Sequence, residues 1–266
     1  MYLKTILRII LVSAGVALCG CGDFESTESE VISSSVNVVF AVGNTPRTRT
    51  EYDVETKRFV WKTGDEVAVW AKSPDGSYAL DNQAFRLMAV ASDKSEAYFT
   101  ATLQSPMAEG TYSYYMTYPL PESMGGMTAT FTVPSVQDGT ASDGVDIIVA
   151  EPISGPALEP VKEAAPIVSD DVLNVRMRHL LHFLRFYIPE GHNVLGEPVK
   201  RIEVTMPQAV AGKVSVDVTD ASTVSFGEGV NGLTLELRNP IDESADGTEV
   251  AVAGIFPPRM AYSAGD

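Results

Sequence analysis

Apolar residues recur at every second position through most of this chain, in short runs broken by Gly, Pro, Asp and Ser. Val36, Val38, Phe40 and Val42 alternate with Asn37, Val39 and Ala41, the period of an extended strand with one apolar face. Runs of similar character follow at 58–61, 66–71, 84–90, 97–103, 111–118, 128–133 and 145–150. Thr63-Gly64-Asp65, Ser73-Pro74-Asp75-Gly76, Pro119-Leu120-Pro121 and Asp138-Gly139 lie between them, where Gly and Pro supply the backbone angles that turns require. A second set covers 177–188, 200–206, 213–218, 233–237 and 250–256. Many short strands with frequent turns predict an all-β chain of antiparallel β-sandwich architecture. Only 172–184 also fits a helical period, through Leu173, Met177, Leu180, Leu181 and Leu184, and its aromatic end (Phe183, Phe186, Tyr187) favours a strand.

The start of the chain follows a different logic. Cys21 closes Leu18-Cys19-Gly20-Cys21, behind Lys4, Arg8 and an apolar run over 9–18. Basic start, apolar core and a small residue before Cys is the order of a bacterial lipoprotein signal, cut between Gly20 and Cys21 and acylated on Cys21. An apolar run of about ten residues falls short of the roughly 20 needed to span a bilayer. An ordinary signal peptide is the alternative, and a frame at Cys19 would set bulky Leu18 at the cut. Residues 1–20 are thus expected to be a leader, and 21–35, polar and acidic, a flexible tether. Acyl chains on Cys21 would provide the membrane contact.

The formal net charge is −16, and cleavage would remove Lys4 and Arg8 but no acid. So acidic a chain does not bind nucleic acid by counterion release, nor an anionic bilayer by its surface. Its two cysteines are Cys19 and Cys21; cleavage and acylation would leave no thiol for a disulfide, a nucleophile or a zinc ligand.

The remaining length suits two packed domains. Residues 151–169, with four prolines and no alternation, read as a linker or a long surface crossing. The expected division is an N-terminal sandwich over 36–155 and a C-terminal one over 156–266.

No reaction chemistry emerges from the motifs. His179 and His182 have a metal-like spacing but no HExxH, no neighbouring acid and no Cys, so imidazoles at the edge of a buried strand are the plainer account, and His192 stands alone. There is no G-x-S-x-G elbow, phosphate loop or dinucleotide motif. Ser169-Asp170-Asp171 and 242–247 lack the spaced oxygens of a calcium loop and read as solvated turns. A non-enzymatic protein without cofactor or metal is expected. Tyr112, Tyr114 and Met116 share one strand face and Tyr115 and Thr117 the other; an exposed tyrosine row would suit a sugar, while a half-buried strand explains it more simply.

Arg47 and Arg49 lie in Gly43-Asn44-Thr45-Pro46-Arg47-Thr48-Arg49-Thr50, just after the first apolar strand. Two arginines in a surface loop need no explanation, yet a trypsin-like protease could reach them. Cutting there would detach Val36, Val38, Phe40 and Val42 together with the lipid, and open a groove beside Trp61 to Trp70 that another chain's strand could fill.

Taken in order, these features resemble the fimbrillin-like lipoproteins of Bacteroidota, the subunits of type V pili. Besides the Cys21 signal and Thr48-Arg49-Thr50, Trp61 with Gly64-Asp65-Glu66-Val67-Ala68-Val69-Trp70 resembles the family's W-x-x-G-D-x-I-x-V segment. Ala97-Tyr98-Phe99-Thr100-Ala101 and 112–119 resemble its paired central strands, 146–150 its D-L-M-x-A segment, Arg178-His179-Leu180-Leu181 the start of its second domain, and Ala253-Gly254-Ile255-Phe256-Pro257-Pro258 its late strand.

The resemblance implies two transthyretin-like β-sandwich domains in tandem and display on the outer membrane through the lipid anchor. It also implies removal of the first strand by a trypsin-like or Arg-specific protease after Arg47 or Arg49, with strand complementation by other pilus subunits. Family members continue further past the Pro-Pro strand, so the second domain is expected to be incomplete in this chain. The expected function is a structural pilus subunit serving adhesion. A non-polymerising anchor or tip subunit, or a surface glycan-binding lipoprotein using the tyrosine row, are the alternatives.

Overall fold

A computed structural model describes residues 35–43, 51–53, 58–91, 96–140, 145–160, 173–220 and 222–257. These residues form strands and turns without any helix, and all but three of the strand contacts between named strands are antiparallel. The all-β expectation therefore holds, and the sheets pack face to face as in β-sandwiches.

The main sheet runs in the order Asn174–Val175, Val36–Gly43, Glu96–Leu103, Tyr78–Val90, Glu66–Lys72, Thr111–Tyr118, Ile148–Ala150, Met177–His179, with Ile153–Pro156 also paired to Thr111–Tyr118. Its two outermost members are separated in sequence by Arg176 alone. One extended stretch therefore touches both edges, parallel to Val36–Gly43 on one side and antiparallel to Ile148–Ala150 on the other. The sheet curls round until this stretch closes it, with Ala41 and Val42 of the first strand as its ladder partners on that side.

Val38, Phe40, Val42, Val67, Val69, Phe85, Phe99, Tyr114, Met116 and Met177 share the buried interior. Glu66–Lys72 is buried on both faces: Val67, Val69 and Ala71 point into that interior, and Ala68 and Trp70 into a second core under another sheet. This explains the unbroken apolar run Val67-Ala68-Val69-Trp70-Ala71, since a strand covered on both sides has no solvent face to keep polar. The covering sheet has the order Val224–Val230, Ala211–Asp217, Thr128–Val133, Ser123–Gly125, and contributes Phe131, Val133, Val214 and Val216. A third core holds Leu233, Leu235, Ile241, Ala253 and Ile255 between two three-stranded sheets.

The division expected at 155/156 is not marked by a break in pairing. Thr128–Val133 joins Ala211–Asp217, Val136–Gln137 joins Gly232–Ile241, and Val36–Gly43 joins Asn174–Val175. Backbone donors pair with whichever strand edge the packing brings alongside, whatever its distance along the chain. For the same reason the expected linker is in part structured, with Ile153–Pro156 laddered to 111–114.

Candidate functional site

Val36–Gly43 was singled out by its alternation, but the alternation in exposure holds only at its start: from Val38 to Val42 every side chain is buried, Val39 and Ala41 on the second face included. Val38, Phe40 and Val42 are buried and Val36 is half-buried, whereas Asn37 is exposed. Every residue from Val36 to Gly43 is in register with Glu96–Leu103. On the other edge, Ala41 and Val42 pair with Asn174 and Val175, Val38 bridges Pro160, and the Ala41 N–H donates to the Leu173 carbonyl at 3.2 Å. Side chains reinforce the ladder: the Thr100 hydroxyl donates to the Val38 carbonyl at 3.1 Å and that of Thr102 to Asn37 Oδ1 at 2.7 Å.

Phe40 is the anchor. Its ring meets Phe85 edge-on at 4.8 Å between centroids and stacks with Phe99 at 5.8 Å. Phe99 in turn receives Trp61 at 5.0 Å, and Trp61 meets Tyr118 at 5.4 Å. Each buried Val or Phe of this kind contributes roughly 1.5–3 kcal/mol. Departure of the strand would leave a slot flanked by Glu96–Leu103 and Leu173–Val175, floored by Phe85 and Phe99. The flanks differ from the expected groove beside Trp61 to Trp70, because Tyr78–Val90 and Glu96–Leu103 intervene between Glu66–Lys72 and the first strand.

Cys21, Gly20, Arg47 and Arg49 lie outside the described residues, as do Ser169, Asp170 and Asp171. Across the outer face of the same strands runs a groove of about 550 Å³ lined by Asn37, Val39, Ala84, Met88 and Thr100, with the Glu66–Arg86 ion pair at its side.

The tyrosine row is inside. Tyr112 and Tyr114 are buried in the main interior, their hydroxyls donating to the Ala108 and Pro156 carbonyls, and Tyr115 packs half-buried in the second core. Burial pushes the Tyr114 phenol up. A ring held edge-in between strands offers no face to a sugar, so these tyrosines are not the exposed platform that a glycan-binding reading requires.

His179 has an acidic partner that local spacing could not reveal. Its Nδ1 lies 2.8 and 2.7 Å from the two carboxylate oxygens of Asp146, because the ladder sets Ile148 opposite His179. Burial pushes the Asp146 carboxyl above its usual range, against the hydrogen bond and charge of His179. His182 is exposed, and His192 Nδ1 lies 2.9 Å from the Glu190 carbonyl. Among the described residues no group of three His, Cys, Asp or Glu is placed to hold a metal ion. In the acidic turn 242–247 the carboxylates serve local donors: Asp246 accepts from the Ser244 hydroxyl and the Thr248 N–H.

Sheets and cores of this kind define an all-β protein of antiparallel sandwich sheets with an apolar strand locked into a closed sheet. No family model matches the sequence, and no curated protein does. In fold the chain is similar to a candidate cell adhesion protein of Bacteroides uniformis, with a TM-score of 0.55 and 16% identity, over 84% of this chain and 75% of that one. At that identity the likeness is one of fold.

Proposed function

We propose that this chain is a non-enzymatic cell-surface protein of the adhesion type, built on the fimbrillin plan and carried to the outer membrane by a lipid on Cys21. A protease cut after Arg47 or Arg49 would sever the covalent link to Val36–Gly43, and a strand from another subunit would then displace it from its seat. The observation that carries the reading is the seat of Val36–Gly43: one apolar strand, in full register inside the sheet, followed at once by the segment that bears both arginines. The fold likeness to a candidate cell adhesion protein supports a surface role.

A second reading draws on the same strand. Hydrogen bonds on both of its edges favour its retention, which suits an anchor or tip subunit that never polymerises. Intact mass and N-terminal sequencing of the protein taken from its host's surface separate the two. The polymerising reading expects a new N-terminus at Thr48 or Thr50; acylated Cys21 as the sole N-terminus overturns it in favour of the retained strand.

A further inference from the structure

We infer that Val194 and Leu195 form a docking tip for a protein partner that presents an apolar socket with a basic rim. They project from the loop between His182–Pro189 and Val199–Thr205, with 92% and 71% of their surface exposed. Single exposed apolar residues are ordinary. Here two adjacent ones are held up by a tied backbone. The Gly191 N–H donates to Glu243 Oε2 at 2.7 Å, Asn193 Nδ2 donates to Asp242 Oδ1 at 2.7 Å, and Asn193 Oδ1 accepts the Leu195 N–H at 3.0 Å. Gly191 and Asn193 are thereby fastened to the turn that follows Gly232–Ile241, and Leu195 is tied to it through Asn193.

The same turn backs a third exposed apolar side chain. Tyr187 is 57% exposed, a Cβ placed on Gly247 would lie 3.7 Å from its ring, and its neighbour Ile188 pairs with Glu243. Apolar groups already fixed in place lose little conformational freedom on binding, and tyrosine is prominent among residues that carry interface energy.

Charge decides the kind of partner. Glu190, Glu197, Asp242 and Glu243 flank the tip, on a chain of net charge −16. Like charge disfavours a second copy and an anionic bilayer, whereas a cationic surface is drawn in and oriented. The inference stands apart from strand removal, since none of these residues belongs to the first strand or its slot.

The test uses the full chain carrying Cys21→Ser, so that it is not acylated, against the same chain with Val194→Ser and Leu195→Ser, which leaves every charge in place. Both are measured at physiological salt on an immobilised amphipathic Leu/Lys peptide, its Leu/Glu counterpart and phosphatidylcholine vesicles. The native tip should bind the Leu/Lys peptide, and the double variant should bind about ten-fold more weakly or worse, the scale of one buried aliphatic side chain. Glu243→Gln, which loosens the loop and keeps the apolar side chains, should fall between them. Equal binding by native and double variant would reduce the contact to bulk charge and overturn the proposal. Absence of binding to the Leu/Lys peptide, or equal binding to the Leu/Glu peptide or to vesicles, would overturn it as well.

Discussion

At the scale of single residues, the chain's short motifs turn out to be solutions to local packing. Gly64 takes a φ of 97°, which a side chain would strain, and lets Asp65 turn back so that its carboxylate accepts the Lys62 N–H at 2.8 Å and the Tyr118 hydroxyl at 3.2 Å. Trp61 then lies on Phe99 and Tyr118. Phe40, at the centre of the first strand, should be the costliest of its side chains to lose: Phe40→Ala is expected to lower unfolding stability by about 3–5 kcal/mol in urea titration. Asp146→Ala strips the half-buried His179 of its hydrogen-bond partner and should cost about 1–3 kcal/mol, the scale of a polar group left unpaired. Asp146→Asn isolates the titration. Because the folded pKa is raised, the folded state holds the proton more tightly, and stability declines as pH rises from the unfolded value through the folded one. Urea titrations across the acid range should show that decline in the native chain and a flatter profile in Asp146→Asn.

At the scale of elements, the stretch from Leu173 to His179 matters as much as the first strand. It closes the main sheet by holding both edges, so the first strand is an interior member rather than a loose edge. A cut between Gly43 and Glu51 is therefore not expected to release the strand by itself. With a specific protease site placed in 44–50, the nicked protein should keep Val36–Gly43 through gel filtration under native conditions and lose it after mild denaturant. Mass spectrometry of the eluted peak reads the result directly. Once the strand has gone, amide exchange at Asn174, Val175 and 100–103 should rise together, since they lose their ladder partners in one event. Prompt loss of the strand on cutting would show that the closure contributes little.

At the scale of the whole molecule, the acidic balance and the turn chemistry act together. Local hydrogen bonds, chiefly from Ser73 and from Ser244, hold the Asp75 and Asp246 carboxyls at about 2. Folded values below the usual 3.8 mean a contribution that is present above that pH and lost as pH falls towards 2. Both groups are fully exposed, so Asp75→Asn should shift the acid unfolding midpoint only slightly, as followed by tryptophan fluorescence.

Strand pattern was largely legible in advance. The runs at 111–118 and 128–133 match Thr111–Tyr118 and Thr128–Val133 end to end, because in each the residues facing the main or second core recur at every second position. The run at 177–188 breaks at Leu180-Leu181 into Met177–His179 and His182–Pro189, as the chain leaves one sheet for another. Val224–Val230, interrupted by Gly227 and Gly229, and Ile153–Pro156, set among prolines, carry too weak a periodic signal to be read locally. Gly229 is glycine because the Ala211 carbonyl lies 2.3 Å from where a Cβ would sit, a demand that exists only after the two strands meet.

The sequence by itself determined the strand character of the chain, its turns, its charge and the inward set Val38, Phe40 and Val42, because each rests on neighbours within a few residues. Tertiary structure alone decided which strands pair across 155/156, that Asp146 meets His179, and that Val194 and Leu195 stand clear, while the burial of Tyr112 and Tyr114 followed the plainer of the two readings their strand allowed. Backbone hydrogen bonds and apolar burial reward any partner of suitable edge and shape, and carry no record of how far along the chain that partner lies.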